Sequence, residues 1–118
     1  NKGDGTFSWH ELPVEAQFAP VYAIELLDVD GDGLKDLILA GNQSYTRIKI
    51  GKMDANHGML FMNLGGFQFK YVPQFKSGLN VIGDVRDMAI VEGKGETLLL
   101  FGRNNNTLKK YRLNRRNN

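Results

Sequence analysis

The chain contains no cysteine, which removes disulfide frameworks, thiolate zinc sites and cysteine nucleophiles together. That absence does not fix a compartment. Proline is scarce, at 3 of 118 residues. No run approaches the roughly 18 consecutive apolar residues of a membrane span, so no membrane insertion is expected. No secretory leader pattern is visible. Charge of one sign is also lacking: the net charge is +2, and the only basic cluster is Lys109, Lys110, Arg112, Arg115 and Arg116 near the end. Nucleic-acid binding calls for a broad basic face, whereas this cluster reads as a solvated terminus. No nucleic-acid partner is expected. Nucleophile elbows, phosphate loops and paired-histidine metal motifs are missing, as is any sustained amphipathic helical period.

Glycine is abundant, at 14 residues, against an average share of about 7%. With charged residues at 24% and hydrophobic residues at 42%, the chain has the balance of a folded domain rich in tight turns. Its length suits one small domain or a piece of a larger one. The first residue is Asn, from which a processed or excised chain is expected.

The most informative stretch is Asp28-Val29-Asp30-Gly31-Asp32-Gly33-Leu34-Lys35-Asp36. It sets carboxylates at its first, third, fifth and ninth positions with glycines between them. Concentrated negative charge of this kind is relieved by a hard cation. Ca²⁺ takes six to eight oxygens, and glycine supplies the positive φ angles needed to wrap a loop around it. The expected ligands are the side chains of Asp28, Asp30, Asp32 and Asp36 and the carbonyl of Leu34. Mg²⁺ demands a stricter octahedron and retains more water. The alternative is an Asp/Gly turn without metal. An EF-hand is excluded because its twelfth position must be Glu between helices, and here it is Leu39; dockerin-type loops also want an acid there. The flanks, Val21 to Leu27 and Leu37 to Gly41, are short apolar runs bounded by turn residues, so the loop joins two strands.

Further strands are expected over Thr6–Leu12, where Phe7 and Trp9 alternate before Pro13, and over Gly58–Asn63. A β-branched stretch surrounds Thr46, Ile48 and Ile50. Phe67, Phe69 and Tyr71 alternate up to Pro73, and strands are also expected to begin at Val81-Ile82 and, after the Gly83–Asp87 loop, to run over Met88–Val91, over Thr97–Phe101 and over Thr107–Leu113. The fold class is therefore all-β. Gly83–Asp87 takes the place of the acidic loop in the second half, with Asp84, Asp87 and Arg86 forming a salt-bridged turn. Two internal correspondences suggest a repeat: Phe7 and Phe67 each precede a proline by the same interval, and Asp36–Leu39 matches Asp87–Ile90. Repeat units of about four short antiparallel strands match the blades of a β-propeller, with a sandwich as the alternative.

On these residues the chain resembles FG-GAP or VCBS repeat proteins, which include the calcium-bearing blades of integrin α-subunit propellers. The likeness rests on Asp28–Gly41, supported by Leu60–Phe67 and Asn1–Phe7. It implies a fragment of about two antiparallel blades: 1–13 a closing strand of a preceding repeat, 14–73 a complete blade with its calcium loop, and 74–118 a degenerate final blade with a basic tail. It further implies structural Ca²⁺, a non-catalytic role in adhesion, ligand binding or scaffolding, and an extracellular, cell-surface or periplasmic setting. A protein or glycan ligand would meet the loops at Tyr45, Lys52–His57 and Arg103–Asn106. Isolated blades expose apolar faces, so homo-oligomerisation is expected. The alternative function is an accessory or catalytic part of a polysaccharide-acting enzyme, with its acid or base among His10, His57, Asp54, Glu11 and Glu25.

Overall fold

The computed structural model describes residues 1–114, so Arg115 and Arg116 of the basic cluster lie outside the described residues. Apolar runs become strands wherever a partner run is within reach of a tight turn. β1 (Val21–Leu27), β2 (Asp36–Gly41), β3 (Met59–Asn63) and β4 (Phe69–Val72) form an antiparallel sheet in chain order. All six residues of β2 are buried, because both of its edges and both of its faces are covered. β5 (Val85–Gly93), β6 (Glu96–Arg103) and β7 (Lys109–Arg112) form a second antiparallel sheet, again in chain order. The only helical pieces among the described residues are single turns, a 3-10 turn over Val14–Gln17 and α1 over Gln74–Ser77. No helix among them is long and apolar enough to cross a membrane.

The first sheet uses both faces. Leu37, Leu39, Met59 and Phe61 cluster on one, covered by Ala16, Val21, Phe69 and Tyr71. Ala23, Leu27, Ile38, Ala40 and Leu60 point the other way, toward Val85, Met88, Leu99 and Phe101 of the second sheet, with Leu79 and Val81 between. This intersheet layer is the main core.

The two sheets repeat one another closely. β1 and β2 slip register between Val21 and Ala23, and β5 and β6 slip between Val85 and Asp87. Asn42 donates its backbone N–H to the Pro20 carbonyl at 3.0 Å, as Asn104 does to Asp84 at 2.8 Å. Pro13 and Pro73 each begin a helical turn leading toward the first strand of a sheet. A turn repeats as well. Asn1 Oδ1 accepts from Gly3 N–H at 2.8 Å and Asn63 Oδ1 from Gly65 N–H at 3.0 Å. Lys2 N–H reaches the Thr6 carbonyl, and Leu64 N–H the Gln68 carbonyl, both at 2.8 Å.

Several sequence expectations are corrected by this arrangement. Phe7 is equivalent to Phe69, not to Phe67, which sits inside the turn at a φ of 61°. Asp87 lies on the first strand of its sheet and Asp36 on the second, so those two segments do not correspond. For the same reason Gly83–Asp87 does not replace the acidic loop; the equivalent connection, between β5 and β6, is the tight turn at Lys94-Gly95. Val81-Ile82 precedes the strand, which starts at Val85. The stretch around Thr46, Ile48 and Ile50 forms no strand: it is an exposed turn whose ends meet only through an isolated bridge between Gln43 and Met53. Thr6–Leu12 is not a strand either. It has strand alternation but no neighbouring strand to pair with, and Phe7 and Trp9 are 78% and 81% exposed.

Candidate metal centre

The acidic stretch closes the β1–β2 hairpin, between the paired residues Leu27 and Asp36. Gly31 and Gly33 adopt φ values of 85° and 89°, a region that side chains disfavour, and these two reversals turn the loop amides inward. Gly31 N–H donates to Asp28 Oδ1 at 2.6 Å and Gly33 N–H to Asp28 Oδ2 at 3.1 Å. Asp30 Oδ1 accepts from Asp32 N–H at 3.2 Å, and Asp32 Oδ1 from Leu34 N–H at 2.8 Å. Each carboxylate thus holds the backbone a few residues ahead of it.

Asp36 anchors the assembly. It is buried, at 1% exposure, and its Oδ2 accepts from Val29 N–H and its Oδ1 from Asn63 N–H, both at 2.8 Å. Asn63 in turn donates its side-chain amide to the Lys35 carbonyl at 3.0 Å. The loop is therefore clamped between its own hairpin and the start of the β3–β4 turn. Asn63 reads in the sequence as a turn residue, and nothing local signals that it also braces the loop.

The result is a group of three carboxylates, Asp28, Asp30 and Asp36, whose oxygens lie within 4.8 Å of one another. Asp28 is half-buried and Asp30 exposed. Asp32 lies outside this group, on the exposed rim with its carboxylate on Leu34 N–H. Leu34 is 38% exposed. An all-oxygen, anionic donor set of this kind suits Ca²⁺, Mg²⁺ or Mn²⁺ and not the softer ions that prefer nitrogen or sulfur. The donors present fit a hard divalent cation.

A second polar cluster ties the sheets together. Asp84, 4% exposed, accepts from Ser44 N–H at 3.0 Å and from Ser44 Oγ at 2.7 Å. Arg86 Nη2 stands 3.4 Å from its carboxylate. Burial pushes the Asp84 carboxyl up, but the Ser44 hydrogen bonds and the positive charges of Arg86 and Lys52 outweigh it, leaving its pKa below the ordinary value. Arg86 also donates to the Asn42 carbonyl at 3.0 Å and to Gln43 Oε1 at 2.9 Å, and lies over the Tyr22 ring at 4.2 Å. The Asp84–Arg86 ion pair was legible in the sequence, but not as a turn that includes Asp87: Arg86 and Asp87 lie on β5. Ser44, far from the pair along the chain, was not legible. Asp87, within β5, accepts from Met88 N–H at 2.9 Å.

The loop residues expected to meet a ligand are mixed in role. Tyr45 is 76% exposed. Asn56 is buried, its backbone N–H donating to Asn42 Oδ1 at 2.9 Å. Arg103 braces backbone, donating to the Ile82 carbonyl at 2.8 Å and the Thr107 carbonyl at 2.9 Å. His10 stacks on Phe67 with ring centroids 4.3 Å apart, and His57 Nδ1 lies 3.3 Å from Gln74 Oε1. Comparison of the chain with protein-family models, curated proteins and solved structures finds no match.

Proposed function

We propose that the chain is a calcium-binding, non-catalytic segment of an FG-GAP/VCBS-like β-propeller, its sheets being successive blades and its ion a structural one. The observation that carries this reading is the convergence of the Asp28, Asp30 and Asp36 carboxylates within 4.8 Å in a hairpin loop whose Val29, Gly31, Asp32, Gly33 and Leu34 amides donate to its carboxylates. Asp32 and the Leu34 carbonyl complete the proposed ligand set. A bound divalent ion removes the repulsion among these carboxylates and pins β1 to β2. The propeller part is supported by the four-stranded antiparallel meander, which is the form of a blade, and by its repetition in the second sheet. An extracellular or cell-surface setting and a protein or glycan ligand, met by exposed loop residues such as Tyr45, belong to the same reading.

Calorimetric titration of the metal-free full chain with CaCl₂, and thermal unfolding in millimolar Ca²⁺ against excess chelator, test it. One-site binding is expected, with Ca²⁺ preferred over Mg²⁺. At a hundredfold excess over the dissociation constant, mass action adds about 2.7 kcal/mol. Absence of heat and of any shift in midpoint overturns the metal site.

A further inference from the structure

The two sheets differ sharply at one internal connection. Between β6 and β7, residues 104–108 make a short, uncharged turn. The corresponding link between β2 and β3 runs over 42–58 and is mostly exposed. Both of its ends are fixed within the fold. Asn56 N–H donates to Asn42 Oδ1 at 2.9 Å, and Asn42 Nδ2 donates to the Asn56 carbonyl at 2.6 Å. Ser44 is held on Asp84, and Gln43 and Met53 exchange backbone bonds at 2.8 and 3.0 Å. Beyond that bridge the backbone closes a turn, with Ile50 N–H donating to the Arg47 carbonyl at 2.8 Å and Thr46 Oγ1 to the Gly51 carbonyl. The link is thus a shaped projection on an anchored base.

Its tip carries two features that constrain what can cover it. Ile48 is fully exposed, at 101%, and Ile50 and Tyr45 are 58% and 76% exposed. Arg47, Lys49 and Lys52 are interleaved with them, and no acid occurs over 45–53. Among the described residues none of the three cations forms an ion pair. Lys52, near the base, acts on Asp84 through space. A single exposed isoleucine is ordinary on a protein surface, but here cations stand on both sides of it. Covering Ile48 with an apolar protein face would strip water from Arg47 and Lys49, which is costly without an anion to receive them. A surface that is apolar at one depth and anionic just above it meets both demands, and the boundary of an anionic bilayer is such a surface.

We propose that the 45–52 tip docks this protein on an anionic lipid surface, with Ile48 and Ile50 entering the headgroup boundary and Arg47, Lys49 and Lys52 meeting the lipid phosphates and carboxylates. Tyr45, exposed and amphipathic, belongs at the same level, where tyrosine is enriched at membrane–water boundaries. The chain lies on the bilayer and does not span it. A short basic tip with two apolar side chains gives reversible attachment. An anionic polysaccharide would satisfy the cations and gain nothing from the two isoleucines. The acidic hairpin loop contributes no residue to the tip, so the proposal stands or falls separately from the calcium reading.

Co-sedimentation of the full chain with sucrose-loaded vesicles tests this, using phosphatidylcholine alone and phosphatidylcholine mixed with phosphatidylserine in equal parts. Each Lys or Arg near an anionic surface strengthens binding about fivefold, so the mixed vesicles are expected to bind at least about tenfold more tightly. Raising NaCl to about 0.5 M is expected to release the chain. Arg47→Glu combined with Lys49→Glu is expected to reduce binding to the phosphatidylcholine level. Lys109→Glu combined with Lys110→Glu makes the same change in net charge on β7 and is expected to bind close to wild type. Ile48→Ser keeps every charge and is expected to weaken binding about threefold or more through lost apolar burial. All of these positions are exposed, so the variants fold, and their thermal midpoints are expected to match wild type. Binding to neither kind of vesicle, equal binding to both, equal losses from the two charge-reversed pairs, or an Ile48→Ser chain that binds like wild type each overturns the proposal. Polygalacturonate bound through Arg47 and Lys49, with no vesicle binding, would reassign the tip to an anionic polysaccharide and overturns it as well.

Discussion

Asp36 and Asp30 sit in the same carboxylate group but hold it together in different ways. Asp36 satisfies the half-buried amides of Val29 and Asn63 through its own buried carboxylate, whereas Asp30 is exposed and accepts a bond from Asp32 N–H at 3.2 Å. Stripping a buried acceptor leaves its donors unpaired, so Asp36→Ala is expected to cost about 2–4 kcal/mol in chelator, read from urea midpoints. Asp30→Ala in chelator is expected to stay within about 0.5 kcal/mol of wild type, as exposed substitutions do, and to lose only the Ca²⁺-dependent increment. Equal losses in chelator would show that the loop depends on Asp30 without metal. Asp84 makes a pH-dependent contribution of a definite sign. Its folded pKa lies below the ordinary value. The stability it confers is therefore complete above the unfolded value of about 3.9 and is lost as pH falls through the lower folded value. Urea midpoints between pH 2 and 6 are expected to fall less steeply in Asp84→Asn than in wild type over the acid part of that range.

At the scale of the element, the sequence was most transparent where a strand is buried on both faces. Leu37–Ala40 and Met59–Phe61 are continuous apolar runs, and the Asp/Gly loop between turn-bounded strands announced its hairpin. It was least transparent where alternation meets no partner. Thr6–Leu12 and the stretch from Thr46 to Ile50 both carry strand-like residues, because side-chain periodicity records which face is apolar and not whether another strand lies 5 Å away. The start of β5 was missed for the opposite reason: Arg86 and Asp87 look like loop, but the register slip after Val85 turns Arg86 onto Tyr22 and Gln43. The matching slip in the first sheet, between Val21 and Ala23, bears on Gly41. It pairs with Val21 where the Pro20 backbone turns in, and a Cβ there would lie 1.8 Å from the Pro20 carbonyl oxygen. Since the clash is with backbone, Gly41→Ala must shift the strand entry, and an overpacking cost of about 2 kcal/mol or more is expected by thermal unfolding. Arg103 occupies the equivalent place opposite Val85, where the second sheet accommodates a side chain; Arg103→Ala removes two backbone braces but meets no such clash.

At the scale of the whole molecule, the metal loop shares a wall with the cleft of about 450 Å³ that opens between the sheets. Leu27 and Val29, the residues flanking Asp28, line the cleft, and Val29 N–H is held by Asp36. A cation that fixes Asp28 and Asp36 therefore also fixes this wall of the cleft and the Leu27 end of the intersheet core. An ion bound only to the folded loop raises the free energy of every opening that releases it. Hydrogen exchange at the amides of Val29 and Asn63, both held by Asp36, is expected to slow by up to about a hundredfold when Ca²⁺ stands a hundredfold above its dissociation constant. Slowing confined to Gly31 and Gly33, with Val29 and Asn63 unchanged, would separate the loop from the cleft.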